Sequence, residues 1–167
     1  MKRLPKRLIG RRELIDLPAL ALRGIAAKVD TGAYTNAIHC DEVHLATDLA
    51  TGQPLLHVRL LDPEHPATDG QLLTFSEFAQ RHIRSSNGEV QVRYVIRTVV
   101  RLFGENFDTE FSLADRSDLR HPVLLGRALL RQGRFIVDVA RRDLSHQAEQ
   151  RAAIPAPAPE PDAGTAV

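Results

Sequence analysis

The stretch Lys28-Val29-Asp30-Thr31-Gly32-Ala33 decides the fold. A second stretch of the same pattern lies far downstream, Pro122-Val123-Leu124-Leu125-Gly126-Arg127. In the first stretch, an apolar strand ends in a carboxylate that sits on a tight Thr-Gly turn. In the second stretch, another apolar strand ends in Gly-Arg. Asp-Thr-Gly by itself is also ordinary turn chemistry, so the interpretation depends on the order and spacing of what lies around it.

Short strands with two-residue alternation surround both stretches. Asn87-Gly88 predicts a type I′ turn between hairpin arms over residues 81–86 and 89–96, because these residues tolerate positive φ angles. One short helix is predicted over residues 128–132, with Gly133 as its C-terminal cap. Residues 71–80 fit a strand or a short helix equally well. Many short strands with one short helix predict a mainly β protein, a small closed barrel or a sandwich.

The composition indicates one soluble domain. The chain has 167 residues, enough to bury a core, and its 22 basic residues nearly balance its 21 acidic residues. A net charge of +1 provides no overall field that would attract nucleic acid or an anionic membrane. We therefore expect neither nucleic acid nor a membrane as a partner.

Cysteine usage and the two ends of the chain predict the compartment and the domain boundaries. Cys40 is the single cysteine, so no internal disulfide can form, and a reducing compartment is expected. The basic N-terminus lacks the apolar segment of a secretion signal, which favours a cytoplasmic location. The folded domain is predicted over residues 7–145. Residues 146–167 are rich in alanine and proline and are predicted to form a disordered tail.

The two stretches and the hairpin together resemble the retropepsin-like aspartic proteases. The chain is most similar to a bacterial group labelled ATP-dependent zinc proteases, through Lys28–Ala33, Arg84-Ser85-Ser86 and Leu124–Arg127. Genes of that group often neighbour ATP-grasp glutamate ligases. The resemblance implies a small closed acid-protease barrel with one short C-terminal helix, and a ligase of that type as a partner.

The resemblance also implies the residues of the site. The catalytic residues would be Asp30, Thr31 and Gly32, the substrate-binding residues Ala33, Ser85, Ser86, Asn87 and Gly88, and the structural supports Gly126 and Arg127. Aspartic proteolysis needs two carboxylates that share one proton, and the chain carries one Asp-Thr-Gly. A homodimer with a dyad of Asp30 and its copy is therefore predicted, acting on a peptide or protein substrate.

The residue that follows the Asp-Thr-Gly-Ala turn departs from the viral retropepsins. Those proteins carry an acid there that pairs with the arginine of Gly-Arg, whereas this chain has Tyr34. Arg127 must therefore have another partner. We predict either Asp115 or the face of the Tyr34 ring.

Two other functions are compatible with the sequence. One is a non-catalytic peptide-binding module that partners an ATP-grasp ligase. The other is a zinc hydrolase that uses His39, Cys40, Asp41 or His44. Residues 39 and 40 of a strand point to opposite faces, and the chain has neither His-Glu-x-x-His nor a Gly-rich loop ending in Gly-Lys-Ser/Thr. No metal and no cofactor are therefore predicted.

Overall fold

The computed structural model describes residues 5–157, which form eleven β-strands, two α-helices and one 3₁₀ turn, Pro18–Leu20. The strands are β1 Arg7–Gly10, β2 Arg12–Leu17, β3 Leu22–Val29, β4 Asn36–Thr47, β5 Pro54–Leu60, β6 Leu73–Phe75, β7 Ala79–Arg84, β8 Val90–Leu102, β9 Glu105–Ala114, β10 Val123–Leu125 and β11 Phe135–Asp138. The helices are α1 Arg127–Gln132 and α2 Leu144–Ala153. The predicted mainly β class is confirmed.

Six strands pair into a closed ring in the order β3, β2, β8, β9, β4 and β10, with β10 returning to β3. In the last two pairings, Leu125 lies parallel and opposite Val29, and Val123 lies antiparallel and opposite Ile38. Strand β10 therefore lies between β3 and β4, although these two strands follow each other in the chain. This arrangement brings Gly126 next to the loop that carries Asp30.

Alternating side chains from the ring fill one core. In β2, Glu13, Ile15 and Leu17 are buried while the residues between them are partly exposed. Burying a large apolar side chain contributes about 1.5–3 kcal/mol, so this alternation stabilises one register of each strand. The largest fully buried side chains are Ile9, Ile15, Leu17, Ile25, Ile38, Leu56, Leu60, Leu61, Ile96, Leu102, Phe111 and Leu125.

The predicted hairpin is present as β7 and β8, but its turn differs from the type I′ turn expected. Gly88 has φ 86°, whereas Asn87 is not among the residues with positive φ, and a type I′ turn needs both. Gly88 N donates to Ser85 O at 3.0 Å, and Ser85 N donates to Glu89 O at 2.8 Å. The loop thus has three residues and closes with one glycine in the left-handed region, which leaves Asn87 free to bond locally through its side chain.

The short helix α1 begins directly after β10, as predicted, and Gly133 ends it. Gly133 has φ −80°, which any residue adopts, so its conformation does not require glycine. A Cβ at Gly133 would lie 2.1 Å from the ring of Phe135. Close packing of β11 against the helix end is therefore the reason for glycine at this position.

A second helix, α2, corrects the predicted tail. Residues 146–153 belong to α2, whereas the sequence predicts disorder from residue 146. The prolines that indicate disorder begin only at residue 155, and the segment before them is held by tertiary contacts. Residues 158–167 of the predicted tail lie outside the described residues.

The contacts of α2 depend on Glu13, a buried carboxylate in β2. Glu13 Oε1 accepts from Gly10 N at 2.7 Å, and Oε2 accepts from Ser145 N at the start of α2 at 3.0 Å. The Ser145 hydroxyl in turn accepts from Phe103 N at 2.7 Å. Burial raises the pKa of Glu13, while these hydrogen bonds oppose that rise. Sequence analysis did not identify this link.

The segment over residues 41–80 extends the sheet away from the ring. Strand β5 pairs with the outer half of β4, and β6 pairs with β5. The stretch 71–80, for which the sequence allowed strand or helix, contains β6 and the start of β7. The apolar side chains of β5, such as Leu56 and Val58, join the main core.

Candidate functional site

Asp30 lies at the end of β3, where the strand turns into the Thr31-Gly32 loop. Its backbone N donates to Leu125 O at 2.9 Å, which ties it to β10. Its Oδ1 accepts from Gly32 N at 2.8 Å, and its side chain is 27% exposed. A Cβ at Gly32 would lie 3.1 Å from Oδ1, so glycine allows this close approach. The carboxylate is thus held in place and open on one side.

The loop after Asp30 caps the start of α1. Arg127 N donates to Ala33 O at 2.8 Å, and Ala128 N donates to Tyr34 O at 3.0 Å. The first N–H groups of a helix have no partner within the helix, and here the loop carbonyls supply it. Ala33, predicted to bind substrate, therefore has its carbonyl engaged by the helix.

Gly126 and Arg127, the two residues predicted as structural supports, both contact the loop, each in a specific way. A Cβ at Gly126 would lie 2.5 Å from Thr35 O, so only glycine fits between β10 and the loop. Arg127 Nη1 donates to Thr31 O and to Gly32 O, both at 3.1 Å.

The Arg127 guanidinium carbon also lies 5.8 Å from the centre of the Tyr34 ring, within cation–π range, so the prediction of the Tyr34 face is confirmed. The alternative, Asp115, is wrong. Asp115 accepts instead from the backbone N and the hydroxyl of Ser117, at 3.0 and 2.6 Å.

Asn36 is a supporting residue that sequence analysis missed. It is 1% exposed, and its Oδ1 accepts from Gly126 N at 2.9 Å. Its Nδ2 donates to Thr109 Oγ1 at 3.0 Å and to Glu110 O at 2.9 Å. The side chain thus joins β4, β9 and β10 behind the loop. A lone asparagine in an apolar strand was the available signal, because a buried amide needs partners.

The hairpin tip carries Ser85, Ser86, Asn87 and Gly88, which the resemblance assigns to substrate binding. The side-chain hydrogen bonds of the tip stay within the hairpin: Ser85 Oγ donates to Glu89 O at 3.1 Å and also contacts Asn87 Oδ1. Ser86, Asn87 and Gly88 are exposed. Within the described residues, no hydrogen bond joins the tip to the Asp30 loop.

A cationic pocket of about 300 Å³ lies beside Asp30. Its lining consists of Arg11, Arg12, Lys28, Val29, Arg120, His121 and Arg142. Lys28 Nζ lies 3.5 Å from Asp30 Oδ2, which connects the pocket to the carboxylate. Burial and then the charges of neighbouring basic residues lower the pKa of His121. The sequence is rich in arginine, which was the available signal for a cationic pocket. Composition alone, however, does not show which arginines lie together in the fold.

One carboxylate, Asp143, neutralises part of this pocket. It forms an ion pair with Arg12, in which Arg12 Nε lies 3.1 Å from Asp143 Oδ1. Of the other cations of the pocket, Lys28 contacts Asp30, whereas Arg11, Arg120 and Arg142 form no ion pair with a described carboxylate. The pocket therefore suits an anionic ligand or an anionic part of a substrate.

The residues considered for zinc do not form a zinc site. His39, Asp41 and Asp62 offer ligand atoms within 4.8 Å of one another, but Cys40 and His44 are not part of that group. His39 Nδ1 accepts from Arg116 N at 2.9 Å, so the ring proton lies on Nε2, which donates to Asp62 at 3.1 Å. Neither ring nitrogen has a lone pair available for a metal.

Cys40 is also poorly suited to bind a metal. Burial raises the pKa of its thiol to about 11, and metal binding requires the thiolate. Its Sγ donates to Glu42 O at 3.1 Å. The zinc alternative thus lacks both the nitrogen and the sulfur ligand it would need.

A family model described as "Retropepsin-like aspartic endopeptidase RimB" matches residues 8–148. The chain belongs to the RimB-like family. That match includes the Asp30 loop, the hairpin, β10 and α1. Within the described residues, no helix has the length and apolar character required to span a membrane.

The relatives of this RimB-like chain include longer proteins named "Probable alpha-L-glutamate ligase". The one from Shewanella halifaxensis is 34% identical over 126 residues, which are 73% of this chain and 26% of that protein. The one from Desulfotalea psychrophila is 30% identical over 141 residues, 82% of this chain and 29% of that protein. The chain thus spans between a quarter and a third of these relatives.

A solved structure supports the fold. Protein Lpg0085 of Legionella pneumophila, described as having unknown function, superposes with a TM-score of 0.59 at 22% identity. The superposition covers 83% of this chain and 97% of that protein. At this identity, the likeness concerns the fold alone.

Proposed function

We propose that this chain is an aspartic peptidase that works as a homodimer and cleaves peptides rich in glutamate. The observation that carries the proposal is the Asp30 loop, whose carboxylate is partly exposed and held by Gly32 N, with β10 and α1 fixing the loop from behind. One carboxylate of the dyad would take a proton from water while the other gives a proton to the peptide carbonyl.

The homodimer is proposed because one chain supplies one Asp30. A surface next to the loop suits a second copy. A cavity of about 890 Å³ is lined by Thr31 and Arg127 of the site and by Phe135, Ile136 and Val137 of β11. On the adjoining β1–β11 sheet, the paired residues Leu8 and Ile136 are 45% and 47% exposed. A two-fold contact over this surface would bring the two Asp30 loops together.

The substrate class is proposed from the cationic pocket and from the names of the relatives. The pocket contains Lys28 beside Asp30, and a chain of carboxylates would neutralise its arginines. The relatives are named as alpha-L-glutamate ligases, so we propose glutamate-rich peptides as the substrate of a peptidase related to part of them. Cleavage should weaken as salt rises, because screening reduces this attraction.

The test compares wild type with Asp30→Asn on a mixture of peptides that includes glutamate-rich ones. The series runs from about pH 4 to 7, where a shared proton can operate, with and without a chelator. Mass spectrometry reads the cleavage products. We expect chelator-resistant cleavage by wild type, concentrated in the glutamate-rich peptides, and none by Asp30→Asn.

The matched control is Asp48→Asn, which changes a partly exposed aspartate in the β4–β5 turn, away from the Asp30 loop. It should cleave as wild type does. Cleavage that survives in Asp30→Asn would contradict the proposed mechanism. Cleavage that a chelator abolishes would instead point to a metal.

A second candidate function is a peptide-binding module without catalysis, partnering a ligase. The relatives favour it, since the matching region is a part of longer proteins named as ligases. In that case wild type and Asp30→Asn would bind glutamate-rich peptides equally well, and neither would cleave them.

A further inference from the structure

Arg116 is a buried guanidinium that has no carboxylate partner in the described part of the chain. The residue is 9% exposed, and its Nε donates to His121 O at 3.2 Å. No ion pair joins it to any acidic side chain among residues 5–157. Buried charges are costly and are normally paired, so this position indicates an anion that the chain itself does not supply.

The loop holds Arg116 firmly in this position. Arg116 N donates to the Nδ1 of buried His39 at 2.9 Å, and Leu119 N donates to Arg116 O at 2.9 Å. These two bonds fix the backbone at Arg116, and the bond from Nε to His121 O fixes the guanidinium. A guanidinium fixed in this way loses little entropy when it binds a ligand.

The outer end of the guanidinium is free to bind. Among the described residues, no hydrogen bond is made by its two Nη atoms, which leaves four N–H groups. These atoms are not sealed in the interior, since Thr98 Oγ1 is the single fully enclosed side-chain atom without a partner in the described chain. An open fork of this kind matches a carboxylate in bidentate geometry.

Arg93 of strand β8 is a second basic residue without a carboxylate partner in the described part of the chain. It is half-buried, and its Nε and Nη2 contact Gln91 Oε1 at 3.2 and 2.9 Å rather than a carboxylate. Its partner across the hairpin, Arg81, is paired with Glu110. Burial is the largest cause that lowers the pKa of Arg116. The charge of Arg93 lowers this pKa further, and the charge of Asp30 raises it. Arg116 is linked to the site through His121, whose carbonyl oxygen accepts from Arg116 Nε and which lines the same cationic pocket as Lys28, 3.5 Å from Asp30 Oδ2.

We propose that Arg116 holds a carboxylate of the peptide next to Asp30 and so selects an acidic side chain beside the bond that is cleaved. This rests on the proposed function, because it assigns a specificity residue to that site. A carboxylate bound to the two Nη groups of Arg116 would neutralise the buried charge. A glutamine at the same place would leave Arg116 charged and unpaired, which disfavours it strongly.

The test uses glutamate-rich peptides in which the residue on either side of a mapped cut is Glu or, in a matched peptide, Gln. Wild type should prefer the Glu peptide in kcat/KM by about 10- to 100-fold, the range expected for a charge-assisted bidentate pair. Arg116→Met should bring this ratio close to 1. Arg116→Lys should keep part of it, because a point charge without the fork remains.

Arg97→Met is the control variant, since Arg97 lies on the same strand as Arg93 but is exposed and paired with Asp108. It should keep the wild-type ratio. A ratio that is unchanged in Arg116→Met would overturn the proposal. If Arg116→Met unfolds, as a thermal melt will reveal, the Glu-to-Gln ratio of Arg116→Lys decides.

A binding measurement separates this proposal from the proposed catalysis. In the Asp30→Asn background, fluorescence anisotropy of a labelled glutamate peptide should give a Kd about 10-fold or more weaker once Arg116→Met is added. Equal affinity in the two proteins would refute the role of Arg116. This binding measurement does not depend on cleavage. A wild-type protein that cleaves nothing would therefore contradict the proposed peptidase activity and leave the role of Arg116 in binding to be decided by the measured Kd.

Discussion

Gly126 occupies a position where a Cβ would lie 2.5 Å from Thr35 O and 2.8 Å from Tyr34 O. Its φ of −94° suits any residue, so the requirement for glycine is steric. We expect Gly126→Ala to lower the free energy of unfolding by about 2–3 kcal/mol, since both neighbours are backbone atoms that cannot turn away. Urea unfolding measures this loss.

Gly52→Ala is the control for that substitution. Its Cβ would meet no atom within 4 Å, and only its φ of 71° opposes a side chain. It should cost about 1 kcal/mol. Equal losses for the two variants would mean that the contact of Gly126 with Thr35 does not constrain the loop.

Asn36 is a second residue whose substitution should destabilise the loop that carries Asp30. Asn36→Ala removes three hydrogen bonds and leaves Gly126 N buried without a partner. We expect a loss of about 2–4 kcal/mol, because an orphaned buried donor costs more than an average hydrogen bond contributes. Chemical unfolding measures it, with exposed Asn106→Ala as a control that should stay within about 0.5 kcal/mol. A small effect of Asn36→Ala would show that water replaces the amide.

At the scale of elements, the attachment of α2 to β2 should depend on pH through Glu13. Burial raises the pKa of Glu13 above its ordinary value of 4.5. A raised pKa in the folded state means that its contribution to stability is complete below the unfolded value and is lost as pH rises through the folded value. Wild type should therefore lose stability relative to Glu13→Gln as the pH rises from about 4 to 7.

Urea unfolding of the two proteins across that pH range measures the effect. Glutamine can accept through only one of its two terminal atoms, so Glu13→Gln should differ from wild type in the free energy of unfolding by an amount that does not depend on pH. The change of this difference with pH is therefore the quantity that tests the raised pKa of Glu13. Glu105→Gln, which changes an exposed carboxylate paired with Arg7, is the control and should show little slope. A Glu13→Gln difference that does not vary with pH would contradict the raised pKa.

At the scale of the whole molecule, the proposed dimer predicts how wild type and Asp30→Asn behave when mixed. After equal amounts are unfolded together and refolded, about a quarter of random dimers contain two intact Asp30 residues. If a dyad is required, activity per total protein should fall to about a quarter of the wild-type value. A chain that works alone would retain about half, which would refute the dyad.

The surface that would bring the two copies together gives a further check. Ile136→Arg places a charge on the exposed side of the β1–β11 sheet. It should shift the sedimentation of the protein from dimer to monomer and abolish cleavage, while the unfolding midpoint of the monomer stays near that of wild type. Leu49→Arg, at a fully exposed position in the β4–β5 turn, should leave sedimentation and cleavage unchanged. An Ile136→Arg protein that remains dimeric would place the interface elsewhere.

Local patterns explain most of what could be predicted. The strands and the hairpin follow from alternation and from a glycine turn, both of which are properties of neighbouring residues. The type of the hairpin turn was wrong because Asn87 bonds to its own loop instead of taking a positive φ. The helix α2 was missed because its own residues do not require it; Glu13 of β2 holds it from outside by accepting from the N–H of buried Ser145.

By itself, the sequence determined the mainly β class and the position of Asp30 on its turn, and the resemblance it carries implied that Gly126-Arg127 supports that turn. These features depend on short motifs that can be recognised in the sequence alone. Only the tertiary structure decided that Arg127 binds the loop carbonyls and Tyr34, that Asn36 joins three strands, and that a row of basic residues gathers beside Asp30. The physical reason is that β10 lies between β3 and β4, so residues some 90 positions apart become neighbours, and contacts over such distances leave no local pattern in the chain.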